Sequence, residues 1–216
     1  MASRAEKPLT FESIAARLAA CGPPRDPRAR LLEHVVGPVS PELERILEQP
    51  GRSASVLLGL IDRPGGLTLL FTERAAHLRD HAGQISFPGG RLAADEGPVA
   101  AALREAGEEV GLDQRQVTVA GCLDPHLTGT GFVVTPVVGF VAGSFVARPD
   151  PAEVAGVFEV PLDYVLEPNA IRVMTRERYG TRFRVYELEY DGRRIWGATA
   201  AMLMTFRDVI SDDEKS

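Results

Sequence analysis

The ten residues LREAGEEVGL, 103–112, constrain this chain more than any other stretch. At helical spacing Glu105, Glu108 and Glu109 lie three and four positions apart and crowd one side. Val99, Leu103, Ala106 and Val110 are spaced for burial on the other. Pro98 suits a first helical turn and Gly111 a C-terminal cap, so the pattern predicts a helix from Pro98 to about Val110. Arg104 can pair with Glu108 at i,i+4, but one guanidinium cannot neutralise three carboxylates. Each uncompensated like-charge pair costs a few tenths of a kcal/mol when exposed, roughly, and more in an enclosed cleft. A divalent cation would remove that repulsion. Clustered hard oxygens suit Mg2+ or Mn2+ better than zinc, because no cysteine or histidine lies nearby. Alone, such a cluster reads as a solvated face; its setting decides.

Around the helix the chain reads as one mixed α/β domain with a helical arm in front. Thr10 can cap FESIAARLAACG, where Phe11, Ile14, Leu18 and Cys21 share a stripe. Leu31 and Leu32, then Leu43, Ile46 and Leu47, mark later short helices. SASVLLGLID (53–62) and LTLLFTER (67–74) read as strands joined by the RPGG turn. Residues 75–97 read as an ordered loop. VTVAGCLD (117–124) and FVVTPVVGFV (132–141) are the next strands, the latter buried and bent at Thr135-Pro136. PLDYVLEP (161–168) reads as a short helix. IRVMTRERYG and RFRVYELEY read as strands, Asp191-Gly192 as a turn into RRIWG, and TAAMLMTFRDVI as a closing helix. The expected organisation is an N-terminal arm over 1–50 packed on the core, the main α/β domain over 51–210 and a loose tail over 211–216.

Composition narrows the partners. The chain has 216 residues, with 30 acidic against 24 basic side chains and a net charge of -6. That disfavours a broad nucleic-acid surface while leaving room for a local basic pocket. Lys7 and Lys215 are the only lysines. Arginine suits bidentate phosphate contacts, although compositional bias accounts for the excess more simply. Cys21 and Cys122 read as unpaired thiols of a reducing compartment. No apolar run has the length of a membrane span, so the expectation is a cytoplasmic protein with no membrane partner.

The setting of the acidic helix is FPGGRLAADEGPVAAALREAGEEVGL, 87–112. Gly90, Glu96, Arg104, Glu105, Glu108, Glu109 and Gly111 fall at fixed intervals, with Ala106 and Leu112 in two aliphatic slots. This resembles the signature of the Nudix hydrolase superfamily at every fixed position. The resemblance implies an α/β/α sandwich around a mixed β-sheet, here with the helical N-terminal extension, and metal-dependent hydrolysis of a nucleoside diphosphate linked to another group. It also implies Glu105 and Glu109 as principal metal ligands, Glu108 as a third ligand or one acting through water, and the Gly89 carbonyl facing a metal. Arg104 and Glu96 would hold loop and helix in register. The general base is open: Glu153, in PAEVAGVFEVP, is the downstream candidate for metal or water contact, with Glu108 or a metal-bound hydroxide as alternatives. Gly156 stands where similar enzymes often have a second acid. Glu159 reads as structural.

A second motif, LLFTERAAHLRDHAGQISFPGG (69–90), resembles that of the coenzyme A pyrophosphatase subgroup, with Phe71 as a departure. The subgroup implies cleavage of coenzyme A, or its oxidised or acyl forms, to adenosine 3′,5′-bisphosphate and 4′-phosphopantetheine. Arg74 and Arg79 are candidates for the extra phosphate, His81 for a phosphate or loop contact, and Gln84 for orienting loop carbonyls. Asp124, His126 and Thr128 occupy a loop where ligand contact is common, and Trp196 could stack on adenine or serve as a core or dimer contact. A homodimer is a family-based expectation. Competing readings are a Nudix pyrophosphatase acting on ADP-ribose, NADH or nucleoside triphosphates, and a noncatalytic nucleotide-binding sensor.

Overall fold

The computed structural model describes residues 9–77 and 82–211. Three short helices open the chain: α1 (Phe11–Ala20), α2 (Pro27–Leu32) and α3 (Pro41–Glu48), with the two-residue strand β1 (Val35–Val36) before α3. The central part follows as β2 (Arg52–Arg63), β3 (Gly66–Arg74), β4 (Ile85–Ser86), β5 (Gly89–Arg91), α4 (Pro98–Val110), β6 (Val117–Cys122), β7 (His126–Leu127), β8 (Phe132–Val141) and β9 (Val154–Pro161). The chain closes through α5 (Leu162–Leu166), β10 (Ile171–Arg178), β11 (Thr181–Tyr190), β12 (Arg193–Trp196) and α6 (Ala198–Ser211).

The main sheet is mixed. Its strand order is β4-β3-β2-β8-β6, with β5 added to β2, β7 to β8 and β9 to β3. β2 and β8 run parallel, whereas β2 and β3 form the expected antiparallel hairpin. Both faces of the central strands are covered, which explains their near-continuous apolar character. Leu57 and Ile61 of β2, Leu70 of β3 and Val137 of β8 pack with Ala102, Ala106 and Val110 of α4. The opposite faces, through Leu58, Leu60, Leu69 and Phe71, meet Ile14 and Leu18 of α1 and Met202, Leu203 and Phe206 of α6. This is the α/β arrangement with flanking helices that the sequence predicts. A second sheet, ordered β1-β11-β10 with β12 also on β11, was not foreseen.

Local chemistry accounts for the elements. Thr10 caps α1 through a reciprocal capping box with Ser13. Asp26 and Ser40 cap α2 and α3, each with proline in the first turn. Gly111 ends α4 in the left-handed conformation, φ 69°, and donates its N–H to Ala106 and Gly107. The pairing of β8 with β2 runs on through Pro136, and the irregularity falls instead in β6, which bulges between Val119 and Gly121. One further expectation needs correction, and one unassigned stretch proves to be a strand. The stretch 75–97 is not wholly loop, because β4 and β5 dock on β3 and β2. Residues 154–161 form a strand paired with β3, whose Glu159 accepts from Arg63 and from Thr68.

The arm is seated by α1. Ile14 is fully buried, Phe11 meets Phe140 edge-on at 4.9 Å, and Leu18 lies against Gly121. Among the described residues neither Cys21 nor Cys122 forms a disulfide. Truncating Ile14 to alanine leaves a cavity in that contact and is expected to lower the unfolding free energy by about 2–5 kcal/mol. Urea denaturation followed by circular dichroism measures it; a change below about 0.5 kcal/mol would mean that the arm is not part of the cooperative core.

Candidate active site

Two glycines and one helix build the site. β5 runs antiparallel to β2 with Gly89 opposite Val56 and Gly90 opposite Ser55. A Cβ on Gly89 would lie 2.3 Å from the Ser55 carbonyl oxygen, and one on Gly90 2.4 Å from the Glu105 carboxyl carbon. Both positions therefore need glycine for close approach, Gly90 because Glu105 fills the space a side chain would take. The FPGG backbone and two carboxylates of α4 form a single surface.

Glu109 is the unusual member. It is only 3% exposed, yet among the described residues its carboxylate accepts from one backbone donor, the Gly89 N–H at 3.1 Å, and has the Arg74 guanidinium at 3.9 Å. Burial raises its pKa from 4.5 to about 7, and the charges of Glu105 and Glu153 push the same way. The Gly89 N–H and Arg74 oppose the shift without cancelling it. A buried carboxylate this poorly compensated is suited to a cation.

Arg104 organises the rest. Its Nε and Nη2 donate to the two Glu96 oxygens at 2.9 and 3.0 Å, and its Nη1 to Glu105 at 2.9 Å and Glu108 at 3.1 Å. Nη2 also donates to the Arg91 carbonyl at 3.0 Å. Glu96 in turn accepts from the Ala93 N–H. Hydrogen bonding to Arg104 holds the Glu96 carboxyl below its usual range. One guanidinium thus ties the loop to the helix, the role expected for this pair.

The three glutamates separate in space. Glu105 and Glu109 face the glycine turn, while the Glu108 side chain is 59% exposed and pairs with Arg104. Among the described residues no cluster of three or more histidine, cysteine, aspartate or glutamate side chains has the geometry to hold a metal. The donors that do converge are all hard oxygens. With the backbone carbonyls of the turn they fit a magnesium-like ion that keeps water or substrate ligands.

The remaining predicted residues fall as follows. Glu153 is exposed at the start of β9, near enough to influence Glu109, and its carbonyl accepts from the Ala75 N–H at 2.8 Å. Arg74 lies at the acidic cleft, its Nε buried and without a hydrogen-bond partner. The Gln84 carbonyl accepts from the Arg74 N–H at 3.0 Å. Arg79 and His81 lie outside the described residues. Asp124 pairs with Arg30 at 2.9 Å, and buried His126 bonds Thr205 at 3.0 Å, which ties both to the N-terminal arm and α6. Thr128 accepts from the Phe132 N–H. Trp196 is 41% exposed beneath the Arg194 guanidinium. Sequence reasoning missed Arg91, whose carbonyl anchors Arg104, and the arginines of β10; only the density of arginine between 172 and 194 signalled the latter.

Comparison with known proteins agrees with this geometry. The NUDIX domain family matches residues 50–178. The uncharacterised Nudix hydrolase NudL of Photorhabdus laumondii is 42% identical over 158 residues, spanning 73% of this chain and 84% of that protein. NudL of Yersinia pestis is 41% identical over 161 residues, spanning 74% and 80%. The crystal structure of RenU, a Nudix hydrolase from M. smegmatis, superposes with a TM-score of 0.46 at 28% identity, covering 53% of this chain and 73% of that one. The chain belongs to the Nudix hydrolase family. It is a pyrophosphohydrolase whose substrate contains a phosphoanhydride of the nucleoside diphosphate type. No helix among the described residues is long and apolar enough to cross a membrane.

The raised pKa of Glu109 gives a signed prediction. In metal-free protein the folded state holds this proton more tightly than the unfolded chain does. The associated stability is fully present below pH 4.5 and is lost as pH rises through about 7. Glu109→Gln keeps an oxygen for the Gly89 N–H and removes the buried charge. With EDTA at pH 8 its unfolding free energy is expected to exceed the wild type's by on the order of 3 kcal/mol, the difference closing near pH 4.5. Equal melting temperatures of the two proteins across that range would refute the assignment.

Proposed function

We propose that this enzyme hydrolyses the pyrophosphate of coenzyme A, or of its oxidised or acyl forms, to adenosine 3′,5′-bisphosphate and 4′-phosphopantetheine or its derivative. The observation that carries this reading is the place of the second motif. Its strand, β3, ends in Arg74, and the motif closes on the FPGG turn, so it meets Glu109 at Arg74 and again at Gly89. A motif resembling that of coenzyme A pyrophosphatases thus contributes two of the contacts to the buried carboxylate. The second reading, hydrolysis of ADP-ribose, NADH or a nucleoside triphosphate, rests on the family match, which any Nudix pyrophosphatase would share.

In this proposal Glu105, Glu109 and the Gly89 carbonyl hold Mg2+ or Mn2+, with Glu108 contributing through water. A cation held there would offset charge on the pyrophosphate oxygens and favour ionisation of the attacking water. Arg74, already directed at the cleft, would contact a phosphate oxygen once substrate arrives. Glu153 would take the proton from the water as general base. It is preferred to Glu108 because no ion pair holds it among the described residues, whereas Glu108 is engaged by Arg104. Arg79 and His81 would be candidates for contact with substrate phosphate, and Gln84 for orienting the loop carbonyls. The chain divides, in this reading, into the arm (1–50), the hydrolase domain (51–210) and a tail (211–216), working in the cytoplasm, with a homodimer as the expected assembly.

A panel of coenzyme A, acetyl-coenzyme A, ADP-ribose, NADH and nucleoside triphosphates, with products resolved by mass, tests the proposal. With magnesium or manganese, coenzyme A compounds are expected to give the highest kcat/KM. A wide margin in favour of ADP-ribose would overturn the substrate assignment. Glu109→Gln is expected to lower kcat/KM about 100- to 1,000-fold on every substrate cleaved, and undiminished activity would contradict the metal site.

A further inference from the structure

A cavity of about 620 Å³ lies between the N-terminal arm, the loop after β7 and the second sheet. Its walls combine the apolar side chains of Leu31, Leu43 and Phe183 with the rings of Tyr179, Tyr186 and Trp196. Its lining also holds one acid, Glu177, among the arginines Arg30, Arg176, Arg178, Arg184 and Arg194. Arg176 and Arg178 line it, and among the described residues neither has a carboxylate within ion-pair distance. The cavity's Arg194, by contrast, is neutralised by Glu187, as Arg63 and Arg104 are by their own glutamates elsewhere. The Arg178 guanidinium lies 4.8 Å from the Tyr179 ring centroid. It also presses on Gly129, where an added Cβ would stand 2.6 Å from Nη1. Gly129 is therefore small to admit this arginine, in addition to any role in the turn.

Two chains of contacts link the cavity lining to the acidic cleft. The Thr128–Gly129 end adjoins Phe132, whose ring lies 4.0 Å from the Arg52 guanidinium and 5.1 Å from that of Arg91. Arg91 is the residue whose carbonyl holds Arg104. On the other wall, Trp196 and Ala198 precede Thr199, which donates to the Ile85 carbonyl just before the FPGG turn. Along β2, Phe132 beside the cavity and Gly89 of the glycine turn are separated by roughly 13 Å, since Phe132 pairs with Arg52 and Gly89 with Val56.

Building on the coenzyme A reading, we propose that this cavity receives the 3′-phosphorylated adenosine end of the substrate, with Arg176 and Arg178 as the partners of its phosphate monoester. Aromatic surface beside uncompensated guanidinium groups is complementary to a purine carrying a doubly charged phosphate. Neither an isolated phosphate nor a neutral nucleoside would use both features.

The chain has a single tryptophan, and it lines the cavity, so occupancy can be read directly. Adenosine 3′,5′-bisphosphate, which contains no anhydride, is titrated into the full-length enzyme in magnesium buffer while Trp196 fluorescence is followed. A saturable change is expected, with AMP binding about tenfold or more weakly because it lacks the 3′-phosphate. Arg176→Gln/Arg178→Gln is expected to weaken the bisphosphate by about tenfold or more and leave AMP nearly unchanged. Gly129→Ala, which displaces Arg178 without removing it, should weaken the bisphosphate in the same sense. A flat titration, or equal bisphosphate affinity in wild type and double variant, would overturn the proposal. Cleavage of coenzyme A with unaltered kcat/KM in the double variant would also overturn it while leaving the reaction assignment intact. Arginine-dependent bisphosphate binding in an enzyme that does not cleave coenzyme A would support the cavity and count against the substrate reading alone.

Discussion

The structure turns on a carboxylate buried where a carboxylate is costly. Glu109 is packed beneath the glycine turn with one N–H close by and an arginine almost 4 Å away. Water would solvate this charge far better than these partners do. Folding nevertheless brings it there, because α4 is locked to the sheet by Ala102, Ala106 and Val110 and to the loop by Arg104. The apolar face of the helix supplies the burial, and the charged group is carried in with it.

The Arg104 network makes that placement specific. Its five contacts reach Glu96, Glu105, Glu108 and the Arg91 carbonyl, across a span of sequence that includes both the loop and the helix. A lysine could not reproduce the paired contact with Glu96. The network also divides the acidic side chains by function. Glu108 and Glu96 are compensated by the guanidinium, Glu105 is shared between it and the turn, and Glu109 faces the turn with no contact to Arg104. Preorganised negative charge opposite a polyphosphate is useful only with a cation between them, which is the physical reason to link this geometry to anhydride hydrolysis.

Much of this could be read from the chain, and the exceptions have physical causes. The bounds of α4 were legible because Pro98 and Gly111 are local start and stop signals, respectively. The β2–β3 hairpin was legible for the same reason, through its glycine turn. β9 was missed because its pairing partner lies some eighty residues away and Gly156 weakens its strand pattern. β4 and β5 are too short to have a period at all. Placing all three glutamates on one side was too coarse: successive residues are about 100° apart on a helix, so Glu108 and Glu109 face different surroundings. The second cavity joins residues from the arm, the loop after β7 and the last sheet, and no local pattern could announce it.

The most direct measurement of the central claim is an anomalous difference map from crystals soaked in Mn2+. The account predicts a peak bounded by the carboxylates of Glu105 and Glu109 and the backbone of Gly89, lost in crystals of the Glu109→Gln protein. Manganese bound elsewhere, with density absent from the space between α4 and the glycine turn, would contradict it.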